Sequence, residues 1–94
     1  MFYNTTNLSG EELKKAVSVA ESQQKAIMLI FENSNKPFTP SAVWGMLQRA
    51  GRPWLLTSTR RAMTDLTAEG KLEMCPEMKE GPYGSREHFW RRKK

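Results

Sequence analysis

Apolar positions change their spacing along the chain, and each change marks an element. Leu13, Ala16, Val17, Ala20, Ile27, Met28 and Phe31, with Gln24 among them, recur at helical intervals and form one stripe. Ser9 and Glu12 make a capping box ahead of it: the hydroxyl takes an orphan backbone N–H and the carboxylate reaches back. The pattern predicts irregular residues 1–8 and a long first helix over 10–33. Ser22 stands where a second cap would split that helix, and Asn33, Ser34, Asn35, Lys36 and Pro37 end it.

The next stripe is Ala42, Val43, Met46, Leu47 and Ala50, a second helix over residues 39–50. Thr39 caps it, Pro40 takes the first helical position, where a missing N–H costs nothing, and Gly51 closes it. Arg52, Pro53 and Trp54 make a turn. A third helix follows over residues 57–69, capped by Thr57 or a neighbour and closed by Gly70. With Thr59 facing inward and about 100° per residue, Ala62, Met63 and Leu66 share its side. Thr57, Arg61, Thr64 and Ala68 then point away, and Ser58, Arg60 and Asp65 lie on the flanks.

After Gly70 the period shortens to two. Leu72 and Met74 alternate with Glu73, and Phe89 and Trp90 return on a second strand. This predicts a hairpin over residues 71–91 whose loop of roughly ten residues holds Lys79, Gly81-Pro82-Tyr83-Gly84 and Arg86, then a basic tail over 92–94. The expected fold class is α+β in one domain, residues 1–94. Its expected core includes Leu13, Val17, Ile27, Phe31, Val43, Leu47, Leu56, Met63 and Leu66.

Charge adds a direction to this plan. Of the net +5, residues 1–32 contribute −1, three lysines against four glutamates; the rest carries +6, twelve cations against six carboxylates. A basic part beside a near-neutral part suits a polyanion on one side, although solubility alone would also use such a surface. No segment approaches the roughly 20 apolar residues of a membrane span, and the first residues lack a positive leader followed by an apolar run. The lone Cys75 excludes an internal disulfide framework, so a reducing cytoplasm is expected and no membrane partner.

Two helices joined by a glycine-containing turn, the second followed at once by a hairpin, suit recognition of duplex DNA. Arginine donates two parallel hydrogen bonds to guanine, and threonine meets thymine methyls or base edges. The expected contacts are Thr57, Ser58, Arg60, Arg61 and Thr64 from the third helix. Lys79, Tyr83 and Arg86 join them from the hairpin, and Arg91 and Arg92 from the C-terminal end. Tyr83 either packs across the loop or donates to a phosphate oxygen. Glu77, Glu80 and Glu87 dilute the positive charge of the hairpin. Catalysis finds no constellation: His88 is the only histidine, Cys75 lacks a second soft ligand, and no Gly-rich phosphate loop follows a strand. Neither a cofactor nor a metal is expected. Trp44, Trp54 and Trp90 read as core anchors rather than stacking platforms.

Residues 36–90 resemble the winged helix-turn-helix superfamily and, more narrowly, small stand-alone winged-helix proteins of phages and integrated mobile elements. The resemblance is carried by Phe38-Thr39-Pro40-Ser41-Ala42-Val43-Trp44 and by Thr57-Ser58-Thr59-Arg60-Arg61-Ala62-Met63-Thr64-Asp65-Leu66-Thr67 with Gly70-Lys71-Leu72. Gly81-Pro82-Tyr83-Gly84 and Glu87-His88-Phe89-Trp90 complete it. It implies three helices, the first of them long, and a C-terminal hairpin wing. It further implies sequence-specific binding of double-stranded DNA by the third helix and wing, usually as a transcriptional regulator and often as a dimer. Thr59 departs from the branched apolar residue common at its place. The long first helix is an addition to the minimal module and the expected homodimer surface. The competing expectations are a protein–protein interaction adaptor and a DNA packaging or replication-initiation accessory factor.

Overall fold

The computed structural model describes residues 10–34, 36–81, 84 and 86–93. The expected irregular residues 1–8, Ser9 of the capping box and Lys94 of the tail lie outside them. The chain is α+β: four helices, α1 (Gly10–Ser18), α2 (Gln23–Glu32), α3 (Pro40–Arg49) and α4 (Leu56–Ala68), then an antiparallel hairpin of β1 (Leu72–Glu80) and β2 (Arg86–Arg92). No helix among the described residues is long and apolar enough to cross a membrane.

The continuous first helix expected over 10–33 is two helices. Ser22 caps α2, its side chain accepting from the Lys25 amide at 3.2 Å. The last carbonyls before the break are held from elsewhere: Arg52 Nη1 donates to Ser18 O at 2.9 Å and to Ala20 O at 3.0 Å. The break also rotates the buried face. Ala26, Ile27, Ile30 and Phe31 of α2 point into the core, while Gln24 and Met28, members of the expected stripe, are only half-buried. In α1 Val17 is buried, and Leu13 packs half-buried against the core. A single long helix was the reason to expect a homodimer through it, and that reason lapses because α1 folds back against α2 and α3.

Helices α3 and α4 end alike. At the end of α3 the Gly51 and Arg52 amides donate to Gln48 O and Leu47 O; at the end of α4 the Gly70 and Lys71 amides donate to Thr67 O and Leu66 O, all at 3.0 Å. Gly51 and Gly70 have φ of 82° and 79°, the left-handed conformation that this closure demands and that glycine adopts without a Cβ clash. Thr39 caps α3 as expected, accepting from the Ala42 amide at 3.3 Å. Helix α4 begins one residue early, at Leu56, and its first turn has no side-chain cap, so Thr57 does not serve as one.

The inward side of α4 is Thr59, Ala62, Met63 and Leu66, as the periodicity requires. Thr59, 0% exposed, is tolerated because its hydroxyl is satisfied: it accepts from Gln23 Nε2 at 3.0 Å and donates to Leu55 O at 3.2 Å. Val43, Leu47 and Leu72 complete the core; Leu56, expected there, is half-buried. Burial of these side chains supplies the main stabilising term, on the order of 2 kcal/mol for each large one.

The strands of the hairpin are longer and their connection shorter than expected. Its strands run to Glu80 and restart at Arg86, so Lys79 and Arg86 are strand residues, not loop residues. Register is Leu72↔Arg92, Glu73↔Arg91, Met74↔Trp90, then, after an irregularity, Met78↔His88, Lys79↔Glu87 and Glu80↔Arg86. Cys75, Pro76 and Glu77 thus oppose Phe89 alone. Pro76 is accommodated in this bulge, where a missing N–H disrupts no ladder. Beside the bulge Cys75 turns inward, and Met74, expected on the apolar side of the strand with Leu72, is exposed. His88 Nδ1 lies 3.0 Å from Cys75 O, using a carbonyl that the bulge takes out of the ladder. Arg92 belongs to β2 rather than to a tail. On the other edge of β2, Phe38 and Trp90 exchange both backbone hydrogen bonds, at 2.9 and 2.8 Å.

Candidate functional site

Helix α4 presents one open ridge. Thr57, Arg61, Thr64 and Ala68 are all exposed, a side short in stature and carrying one cation. Arg61 makes no ion pair or hydrogen bond among the described residues. It shares a shallow depression with Ser58 and Asp65 of α4 and with Ser22, Gln23 and Gln24 at the α1–α2 joint. Ser58 is half-buried there. The Thr64 hydroxyl donates to Arg60 O at 3.0 Å, so what it offers outward is its methyl group and remaining lone pairs.

One flank of this ridge is fastened to β2 at two points. Near the start of α4, Arg60 Nη2 donates to Glu87 Oε1 at 3.5 Å. Two turns on, Trp90 Nε1 donates to Thr67 Oγ1 at 2.9 Å, and that hydroxyl donates in turn to Met63 O at 2.7 Å. Arg60 and Thr67 lie within about 20° of each other around the helix, which lets one strand meet both.

Glu87 also departs from its expected place. It is 6% exposed and does not dilute the charge of the hairpin surface. Its Oε1 accepts from the Ser41 amide at 3.1 Å and the Ser41 hydroxyl at 2.8 Å, at the first turn of α3. That turn contains no acidic residue of its own, so the carboxylate complementing the helix dipole comes from β2. The missing acid was the only signal in the sequence, and a weak one. Glu87 therefore joins α3, α4 and the hairpin through one oxygen.

The other expected contacts divide by position. Lys79 and Arg86 are exposed near the tip of the hairpin, and Lys79 borders a depression with Thr39, Ser41 and Ala42 at the start of α3. Tyr83 lies outside the described residues. Arg91 and Arg92 sit at the base of the hairpin, the end away from Lys79 and Arg86. Arg91 Nε donates to Glu73 Oε1 at 2.6 Å, and this carboxylate holds its guanidinium still further above its ordinary range. The nine expected residues that are described thus divide among α4, the hairpin tip and a separate hairpin base.

The turn before α4 is pinned by Trp44, expected only as a core anchor, and by Gln48 and Arg52, for which the sequence predicts no such role. Trp44 Nε1 and Gln48 Nε2 donate to Trp54 O at 3.0 and 2.7 Å, and the Arg52 guanidinium lies 4.2 Å over the Trp54 ring. Burial pushes the Cys75 thiol above its usual range, partly opposed by the Arg91 charge. Among the described residues no group of three or more His, Cys, Asp or Glu is placed to hold a metal ion. Comparison with known family models, with curated proteins and with solved structures finds no match.

Proposed function

We propose that the chain is a winged helix-turn-helix binder of duplex DNA, with α4 in the major groove and the hairpin as the wing. The observation that carries this reading is the open ridge of Thr57, Arg61, Thr64 and Ala68 on a helix whose flank is fastened to a hairpin at two points. A helix that reads base edges must present short side chains and a bidentate donor in a fixed orientation, and the ridge supplies both. The uncapped first turn of α4 adds backbone N–H donors suited to a phosphate. Lys79 and Arg86 give the hairpin tip cations for the DNA backbone, opposed by the exposed Glu77 and Glu80. The bridge between Phe38 and Trp90 supports a third, one-residue strand in the wing sheet.

Binding in this mode is sequence-specific, with Arg61 as the principal base contact. The biological setting rests on the resemblance in sequence: a cytoplasmic regulator of transcription in a phage or mobile element. Packaging and replication-initiation roles would use the same face and differ in the site they mark. The adaptor reading draws on the exposed Met74 and Met78 of the hairpin. Selection of duplex DNA from a random-sequence pool tests the proposal. Enrichment of one motif supports it; a pool that stays random after several rounds removes the sequence-specific reading.

A further inference from the structure

A third depression, of about 700 Å³, lies between α2, the C-terminal end of α4 and the base of the hairpin. Its apolar surface comes from Met28 and Leu29 of α2, both half-buried, which lie over the buried Leu66. Its border carries four exposed cations, Lys25, Lys71, Arg92 and Lys93, against a single lining carboxylate, Glu32. Lys25 and Lys71 have exposed ion-pair partners, Glu21 at 2.7 Å and Glu69 at 3.4 Å. Such pairs are weak and exchange readily for a better-placed carboxylate.

We infer that this depression docks an acidic amphipathic segment of a partner protein, its carboxylates on the cations and its apolar side chains on Met28 and Leu29. Charge complementarity selects the occupant. A nucleic acid backbone would meet the cations but leave the apolar surface uncovered. A second copy docking through the same depression would set cations against cations. The surface contains neither Arg61 nor the hairpin tip, although Ser22 and Gln24 border both it and the depression beside Arg61.

The test uses two synthetic helical peptides of equal negative charge on the full chain. One carries Leu and Phe on the face opposite its Asp and Glu; the other has Ser at those apolar positions. Binding is read by fluorescence anisotropy and by amide chemical shifts. The apolar-bearing peptide should bind and shift Met28, Leu29, Leu66 and Lys71, and the Ser peptide should bind at least about tenfold more weakly. Lys71→Glu trades an attraction for a repulsion and should weaken the first peptide about tenfold. Met28→Asp puts a charge on the apolar surface and should do at least the same. Lys71→Glu should keep the thermal midpoint and the duplex affinity of the parent chain; Met28→Asp, at a residue packed against the core, should keep the duplex affinity with a lower thermal midpoint. Equal binding of the two peptides, binding of neither, shifts confined to other surfaces, or full affinity in both variants would overturn the inference. Displacement of the peptide by random-sequence duplex DNA with the same shifts would overturn it too, by assigning the surface to nucleic acid. Loss of duplex affinity in Arg61→Ala with peptide binding intact keeps the two proposals separate.

Discussion

The Ser41 hydroxyl and the Glu87 carboxylate meet at 2.8 Å across 46 positions of sequence, and this contact ties the start of α3 to the second strand of the hairpin. The same oxygen takes the Ser41 amide and faces the Arg60 guanidinium. Removing the carboxylate strands a half-buried hydroxyl and a helix-terminal amide together. Glu87→Ala should therefore lower the free energy of unfolding by about 1.5–3 kcal/mol, the range for hydrogen bonds to a charged group. Urea denaturation measures it. A loss under about 0.5 kcal/mol would mean that water replaces the carboxylate at no cost.

The break between α1 and α2 makes a prediction whose sign is diagnostic. Ser22 accepts from the Lys25 amide as the cap of α2. Ser22→Ala should cost about 1 kcal/mol if the cap is real. If α1 and α2 were one helix, the same change would replace serine by the best helix former and raise stability instead. Thermal melts of the two proteins separate these outcomes.

Cys75 gives a pH dependence. Its thiol is pushed up by burial, so the folded chain holds a proton that the unfolded chain releases more easily. That contribution to stability is complete below the ordinary thiol range and is lost as pH rises through the raised value. Stability should fall on this account as the solution becomes strongly alkaline, and Cys75→Ala should flatten the fall. In neutral buffer a thiol reagent should modify native Cys75 far more slowly than it modifies the unfolded chain. Equal rates would contradict the burial.

Much of this arrangement was legible in the sequence where one helix carries its own boundaries. In α4, Gly70 and the spacing of Thr59, Ala62, Met63 and Leu66 fix both the end and the rotation, so the open ridge of Thr57, Arg61, Thr64 and Ala68 follows. The α1–α2 region was less legible, because a stripe from Leu13 to Phe31 can be drawn through a break. What sets the break is partly remote, since Arg52 holds the carbonyls of Ser18 and Ala20 from the turn after α3. Glu87 was illegible for the same kind of reason. A glutamate in a hairpin is ordinarily solvated, and only the fold brings Ser41 and Arg60 to it. Met74, on the apolar side of the strand by alternation, is exposed, because alternation along a strand fails beside a bulge.

Contacts with phosphate should appear as a salt effect. If about six phosphates are neutralised, duplex affinity should fall roughly 10³-fold between 50 and 200 mM salt. Replacing Lys79 or Arg86 at the hairpin tip by alanine should lower the slope by about one unit each. A flat response would remove backbone contacts from the proposed interface.

Arg61 offers the most direct test of the proposed reading head. Its guanidinium is exposed on the ridge with no protein partner among the described residues, whereas Arg60 is engaged with Glu87. The decisive measurement is the affinity of the parent chain, Arg61→Ala and Arg60→Ala for the selected duplex and for a scrambled duplex at one fixed salt concentration. Arg61→Ala should lose about 1–3 kcal/mol on the selected duplex and much less on the scrambled one, as loss of a bidentate base contact requires. Arg60→Ala should weaken both duplexes alike. Undiminished preference for the selected duplex in Arg61→Ala would contradict the assignment of α4 as the element that reads the DNA.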